Sequence, residues 1–74
     1  MNKKAQHVIP TGDKWAVRAS GAAKASGVFG TQKEAIERAK KLAQSQQTEL
    51  YVHGRDGRIR ERNSYGRDPN PPKG

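Results

Sequence analysis

Along this 74-residue chain the spacing of hydrophobic and polar positions changes period twice. "HVIP" is a short apolar run closed by the turn-rich "TGDK". "KWAVRA" then alternates, with Trp15, Val17 and Ala19 on one side and Ala16 and Arg18 on the other. Alternation sends successive side chains to opposite faces of a strand, so the two segments predict a first hairpin. Beyond the small-residue stretch "SGAAK", the run "ASGVF" predicts a short third strand that brings Phe29 up to the next element.

There the period becomes helical. "TQKEAIERAKKLAQSQ" opens with Thr31 three residues before Glu34, the capping-box spacing in which each side chain satisfies the other residue's free backbone N–H. Ala35, Ile36, Ala39, Leu42 and Ala43 then fall on one face, with Lys33, Glu37, Lys40 and Gln44 turned away. Glu34 with Arg38, and Glu37 with Lys41, have the spacing of helix ion pairs, each worth about 0.2 to 0.5 kcal/mol. A rod of about 14 or 15 residues at 1.5 Å rise is roughly 22 Å long, enough to cover one side of a small sheet.

After the helix, "ELYVHGRDGRIRER" returns to alternation around Asp56-Gly57, a pair suited to a two-residue hairpin turn. In that register Arg55 faces Arg58, Gly54 faces Ile59, His53 faces Arg60, Val52 faces Glu61 and Tyr51 faces Arg62. Leu50, Val52 and Ile59 then share the core side. A three-residue loop with a bulged glycine would send Ile59 to the opposite side, so the hydrophobic pattern selects the tighter turn. The fold expected is a single small α+β domain with an antiparallel sheet, in the order β-β-β-α-β-β, and one helix packed on one face. Its expected core is Val8 or Ile9, Trp15, Val17, Phe29, Ile36, Ala39, Leu42, Leu50, Val52 and Ile59. Residues 7–66 form this domain, between a polar tail at 1–6 and a Pro-rich tail at 67–74, both expected to be flexible. Tyr65 is expected to fold back onto the rim.

Composition narrows the function classes. A chain of this size buries only about 60% of the surface its unfolded form exposes, so no deep active-site cavity is expected. The absence of cysteine excludes disulfides and thiolate metal sites and suggests a reducing, cytoplasmic setting. The N-terminal "MNKKAQHVIP" lacks the apolar stretch of a signal peptide, and no apolar run approaches membrane-spanning length. The helix lacks the Trp or Phe that would anchor it at a membrane surface. Net charge is +8, which favours polyanionic partners.

The predicted register concentrates that charge. Tyr51, His53, Arg55, Arg58, Arg60 and Arg62 gather on the side away from the core, and they are the candidate binding residues. Unpaired guanidinium groups on neighbouring strands repel one another, and an acidic partner would relieve the repulsion. The plainer alternative is a solvated face on which Tyr51 covers an arginine stem. Two partner classes follow: an acidic protein, and as the alternative a nucleic acid, DNA or RNA, whose phosphates meet the same arginines. No small-molecule substrate, cofactor or membrane partner is expected, and the chain is read as a monomer or an edge-paired dimer.

Catalysis has no support in the spacing. His7 and His53 would come close if the terminal hairpins pair, but no H-x-x-x-H, cysteine or carboxylate cluster completes a metal site. The serines at 20, 26, 45 and 64 have no local base, and the glycines of "HGRDG" do not have phosphate-loop spacing. A non-enzymatic protein without a catalytic or metal site is the expectation.

The strings H-V-I-P, K-W-A-V-R, T-Q-K-E-A-I, E-L-Y-V-H-G-R-D-G-R-I-R and S-Y-G-R-D-P also resemble, from His7 to about Pro69, the short bacterial proteins of domain of unknown function family 2188. That resemblance implies a compact sheet-and-helix domain and carries no assigned activity. In addition, "KWAVRASGAAKASGVFGTQKEA" is similar to the arm-binding domains of phage integrases, in which a three-stranded sheet lies in the DNA major groove. On that likeness Lys14, Arg18 and Lys24 would extend the binding surface toward a duplex.

Overall fold

The computed structural model describes residues 4–65, so the expectations for 1–3, for Gly66 and for the Pro-rich tail at 67–74 lie outside the described residues. Strands β1 (Gln6–Thr11), β2 (Lys14–Ala19) and β3 (Gly27–Phe29) precede helix α1 (Gln32–Gln46), and β4 (Glu49–His53) and β5 (Ile59–Ser64) follow it. This is the expected α+β order. β1 begins at Gln6, which is buried, one residue before the predicted domain boundary.

The sheet is mixed, with spatial order β3-β2-β1-β4-β5. β2 pairs antiparallel with β1 and β3, and β5 antiparallel with β4, but β4 lies parallel to β1. The all-antiparallel sheet read from the sequence is therefore corrected at one junction. Parallel neighbours need a crossover, and here β2, β3 and α1 supply it. The five-stranded sheet also changes the setting of the integrase-like segment, because β4 and β5 extend it past β1 and leave no isolated three-stranded blade. Lys14 and Arg18 alternate onto the side of β2 away from the helix, while Lys24 is in the loop before β3.

Local chemistry accounts for each boundary. Gly12 at φ 64° allows the two-residue connection between paired Thr11 and Lys14. Thr31 caps α1 by accepting the Glu34 N–H at 3.1 Å. At the other end Gln47 adopts a left-handed φ of 53°, and Thr48 N–H reaches back to the Ala43 carbonyl at 2.9 Å. Neither Glu34–Arg38 nor Glu37–Lys41 closes: the one ion pair among the described residues joins Arg58 to Asp56 at 3.9 Å.

Ala35, Ala39 and Ala43 face the sheet and pack on Val8, Trp15, Val17, Leu50 and Val52. Phe29, Ile36, Leu42 and Tyr65 close the edges of this core, with Tyr65 N–H bonded to the Thr48 carbonyl at 3.0 Å. Of the two β1 candidates Val8 is the core residue. Ile59 is not in the core: it is 56% exposed.

The reason lies in the last hairpin. Gly54 N–H donates to the Arg58 carbonyl at 2.7 Å and Gly57 N–H to the Gly54 carbonyl at 2.9 Å, which makes a three-residue loop of Arg55, Asp56 and Gly57. Asp56 Oδ1 accepts the Arg58 N–H at 3.1 Å and Gly57 takes the left-handed φ of 87° that this loop requires. Ile59 thereby pairs with His53 rather than Gly54, on the side away from the helix. A second irregularity follows between Val52 and His53, where Arg60 is the extra residue, and it restores the predicted pairs Val52–Glu61 and Tyr51–Arg62. The two-residue turn is thus corrected to a three-residue loop plus a compensating bulge.

Leu50→Ala, which empties a fully buried site, is expected to cost about 2 to 5 kcal/mol in urea denaturation, whereas Ile59→Ala is expected to stay within about 0.5 kcal/mol. Equal losses would contradict the bulged register.

Candidate functional site

Alternation along the strands decides which side chains share the face that α1 leaves uncovered. Paired residues Arg18–His7, His7–Tyr51 and Tyr51–Arg62 form one row across β2, β1, β4 and β5. Beside it run the paired residues Ile9, Ala16 and Val28 and the pair His53–Ile59. Val28 and Ile59 expose 53% and 56% of their surface, so two aliphatic side chains flank a polar, aromatic centre.

The predicted strip survives only in part. Tyr51, His53 and Arg62 are on this face. Arg55 instead reaches back across the loop ends, its guanidinium 4.7 Å from the centre of the Trp15 ring and bonded to the Gly12 carbonyl at 3.2 Å. Such a cation-π contact covers the ring of a core indole. Arg60, displaced by the bulge, donates to Gln32 Oε1 at 2.9 Å on the helix side, and the Gln32 amide in turn donates to the His53 carbonyl at 3.2 Å. Arg58 stays at the exposed turn beside Asp56. The four guanidinium groups therefore part instead of lining one surface, because an inserted residue reverses the facing of everything between the two irregularities. Of the wider set, Arg18 joins the row and Lys14 lies on the same face of β2, whereas Lys24 does not belong to it.

The centre of the face is a relay that the candidate set contained only in part. His53 Nδ1 lies 3.0 Å from the Gly57 carbonyl, His53 Nε2 lies 3.0 Å from His7 Nδ1, and His7 Nε2 lies 2.8 Å from Ser20 Oγ. A carbonyl only accepts, so His53 carries its proton on Nδ1, and its Nε2 accepts from His7 Nδ1–H. His7 Nε2 then accepts the Ser20 hydroxyl proton. For a pair of neutral rings this pattern places the shared proton on His7 Nδ1. The His7 ring also stacks on Tyr51, with centroids 5.1 Å apart. Tyr51 donates its hydroxyl to Glu49, and the negative carboxylate raises the phenol's pKa.

Sequence reasoning foresaw the approach of His7 and His53 but did not select His7 or Ser20. Ser20 follows β2, and its N–H bonds the Ala5 carbonyl at 2.9 Å, tying that corner to the start of β1. The signal was the exchange of register between β1 and β2, which puts Ser20 one step beyond the Gln6–Ala19 pair. A cavity of about 280 Å³ opens here, lined in part by His7, Arg18, Ser20, Gly21 and His53. Among the described residues no three His, Cys, Asp or Glu side chains converge, and no helix is long and apolar enough to cross a membrane.

Burial, then the neighbouring His53, then Arg18, hold the His7 pKa below its ordinary 6.5. The groups facing it are His53, Tyr51 and Arg18. Because the unfolded chain takes up this proton more readily than the folded one, stability is expected to fall as pH drops through about 6.5, until the lowered folded value is passed. Thermal melts of the wild type and His7→Asn across that range check it: the variant's melting temperature should change less with pH, and identical slopes would contradict the assignment.

Comparison with known proteins adds a family without an assigned activity. Residues 6–65 match the family described as an uncharacterized protein conserved in bacteria, DUF2188. The chain is similar to the uncharacterized protein YdaT of Bacillus subtilis (strain 168), at 47% identity over 66 residues, or 89% of this chain and 43% of that protein. It thus spans less than half the length of this curated relative. No solved structure matches it. Since the match runs from the first residue of β1 to the tyrosine that follows β5, the chain belongs to the DUF2188 family.

Proposed function

We propose that the chain is a non-enzymatic binding module whose open sheet face receives an acidic protein partner. The observation that carries this reading is the Arg18–His7–Tyr51–Arg62 row set beside exposed Val28 and Ile59. Arginine and tyrosine are enriched at the energetic centre of protein interfaces, Val28 and Ile59 add apolar area beside them, and the two terminal guanidinium groups choose a partner with carboxylates at matching positions. With Arg55 turned onto Trp15 and Arg60 onto Gln32, the face keeps Lys14, Arg18 and Arg62 as its cations.

A nucleic acid is the second reading, favoured by the stacked His7 and Tyr51 rings, on which a base could lie. Three cations would neutralise about three phosphates, so the logarithm of its affinity would fall with log salt at a slope near −2.7 for a duplex. Acyl transfer by Ser20 is disfavoured despite the adjacent imidazole. A base whose pKa is already lowered, oriented by a neutral ring and facing a guanidinium, gains nothing that would stabilise the imidazolium form.

Amide-shift titration of labelled protein separates the readings. A short peptide alternating glutamate and leucine should perturb His7, Ile9, Tyr51, Ile59 and Arg62, and the Arg18→Ala/Arg62→Ala double variant should bind at least about tenfold more weakly. A single-stranded oligonucleotide of equal charge should bind less tightly at physiological salt. Shifts centred on α1, or tight binding by the oligonucleotide alone, would overturn the protein-partner reading.

A further inference from the structure

The chain contains two histidines, 46 positions apart, and the fold brings them together with their ring nitrogens 3.0 Å from one another. We infer that His7 and His53 form a bidentate site for a divalent transition-metal ion of the copper(II) or nickel(II) type on the open sheet face.

Each ring is held as a metal-binding imidazole is held, by a bond on the nitrogen that does not face the site. His53 Nδ1 is tied to the Gly57 carbonyl at 3.0 Å, which leaves Nε2 as the free donor atom. His7 Nε2 is tied to Ser20 Oγ at 2.8 Å, which leaves Nδ1. Outer partners of this kind select which ring nitrogen is left to ligate. In the metal-free protein one proton occupies the space between the two donor atoms. Binding moves the His7 proton from Nδ1 to Nε2, and the Ser20 hydroxyl reverses from donor to acceptor, a change a hydroxyl makes at no cost in bonding capacity. Both rings remain neutral, so the balance needs no proton lost from the pair. The rings must also turn their lone pairs from each other toward the cavity, through torsions that are broad for imidazoles.

The donor type selects the ion. Two imidazole nitrogens suit copper(II) and nickel(II), which hold nitrogen ligands most tightly among the divalent first-row ions. The 3.0 Å between Nδ1 and Nε2 is the length of the hydrogen bond that the entering ion replaces. Two positions from the protein leave the others to the cavity. Arg18 shares that cavity, and its charge opposes a bare dication and favours an anionic co-ligand, a carboxylate or a phosphate, beside the metal.

The test uses the whole chain and copper(II) chloride in a non-coordinating buffer near neutral pH. Electron paramagnetic resonance should show one equivalent bound, with coupling to two imidazole nitrogens. His7→Asn and His53→Asn should each weaken binding at least about tenfold, and Ser20→Ala about ten- to a hundredfold. Amide spectra establish that each variant is folded, and if His7→Asn is not, His53→Asn and Ser20→Ala carry the comparison. Binding by His53→Asn equal to the wild type, or a spectrum without two-nitrogen coupling, would overturn the site.

Discussion

The close contact between α1 and the sheet is the constraint from which the other features follow. Ala35, Ala39 and Ala43, spaced four apart and fully buried, put only methyl groups between the helix and the sheet along their stripe, so the helix axis can lie near the central strands. Larger side chains appear only at the margins of that stripe, as Ile36 and Leu42. One 15-residue helix then covers Val8, Val17, Leu50 and Val52 together. In a chain without cysteine and with so small a core, this packing and the β1–β4 pairing together join the two hairpins.

The helix is also the crossover that returns the chain parallel to its own first strand. Had β4 joined the sheet at the β3 edge, His7 and His53 would be separated by two strands. Because it pairs with β1, Gln6 faces Leu50, His7 faces Tyr51 and Val8 faces Val52. Core and open face are built by the same three pairs: alternate residues supply the packed interior and the stacked rings. The open face is therefore the reverse side of the core, positioned by the same strand pairs.

The last hairpin shows local turn chemistry prevailing over hydrophobic pattern. Burying Ile59 would have contributed about 1.5 to 3 kcal/mol. Against it stand the Asp56 bond to the Arg58 N–H, the left-handed Gly57 and a loop conformation that Asp56 enters without a positive φ. The result distributes like charges as well. Arg55 lies on an indole, Arg58 beside a carboxylate, Arg60 on an amide and Arg62 next to Tyr51, so the four find separate neighbours. Repulsion that seemed to call for an external acid is largely relieved within the fold, and what remains on the open face is a mixed surface of rings, aliphatic groups and a few cations.

The elements themselves were legible from the chain, because strand alternation, the Thr31–Glu34 cap and the alanine periodicity are local and repeat often enough to outweigh any single exception. The family likeness and the α+β class were legible for the same reason, whereas the pairs Tyr51–Arg62 and Val52–Glu61 match the predicted register only because the bulge at Arg60 cancels the longer loop. Three things were not. The partner of β4 depends on where the crossover lands, which no local pattern encodes. The facing of Ile59, Arg55 and Arg60 turns on one inserted residue, and a period-two pattern reverses completely with a slip of one. Finally, the approach of the two imidazoles could be foreseen, but the contact of His7 with Ser20 could not, because only the meeting of β1 and the corner after β2 brings that hydroxyl within bonding distance.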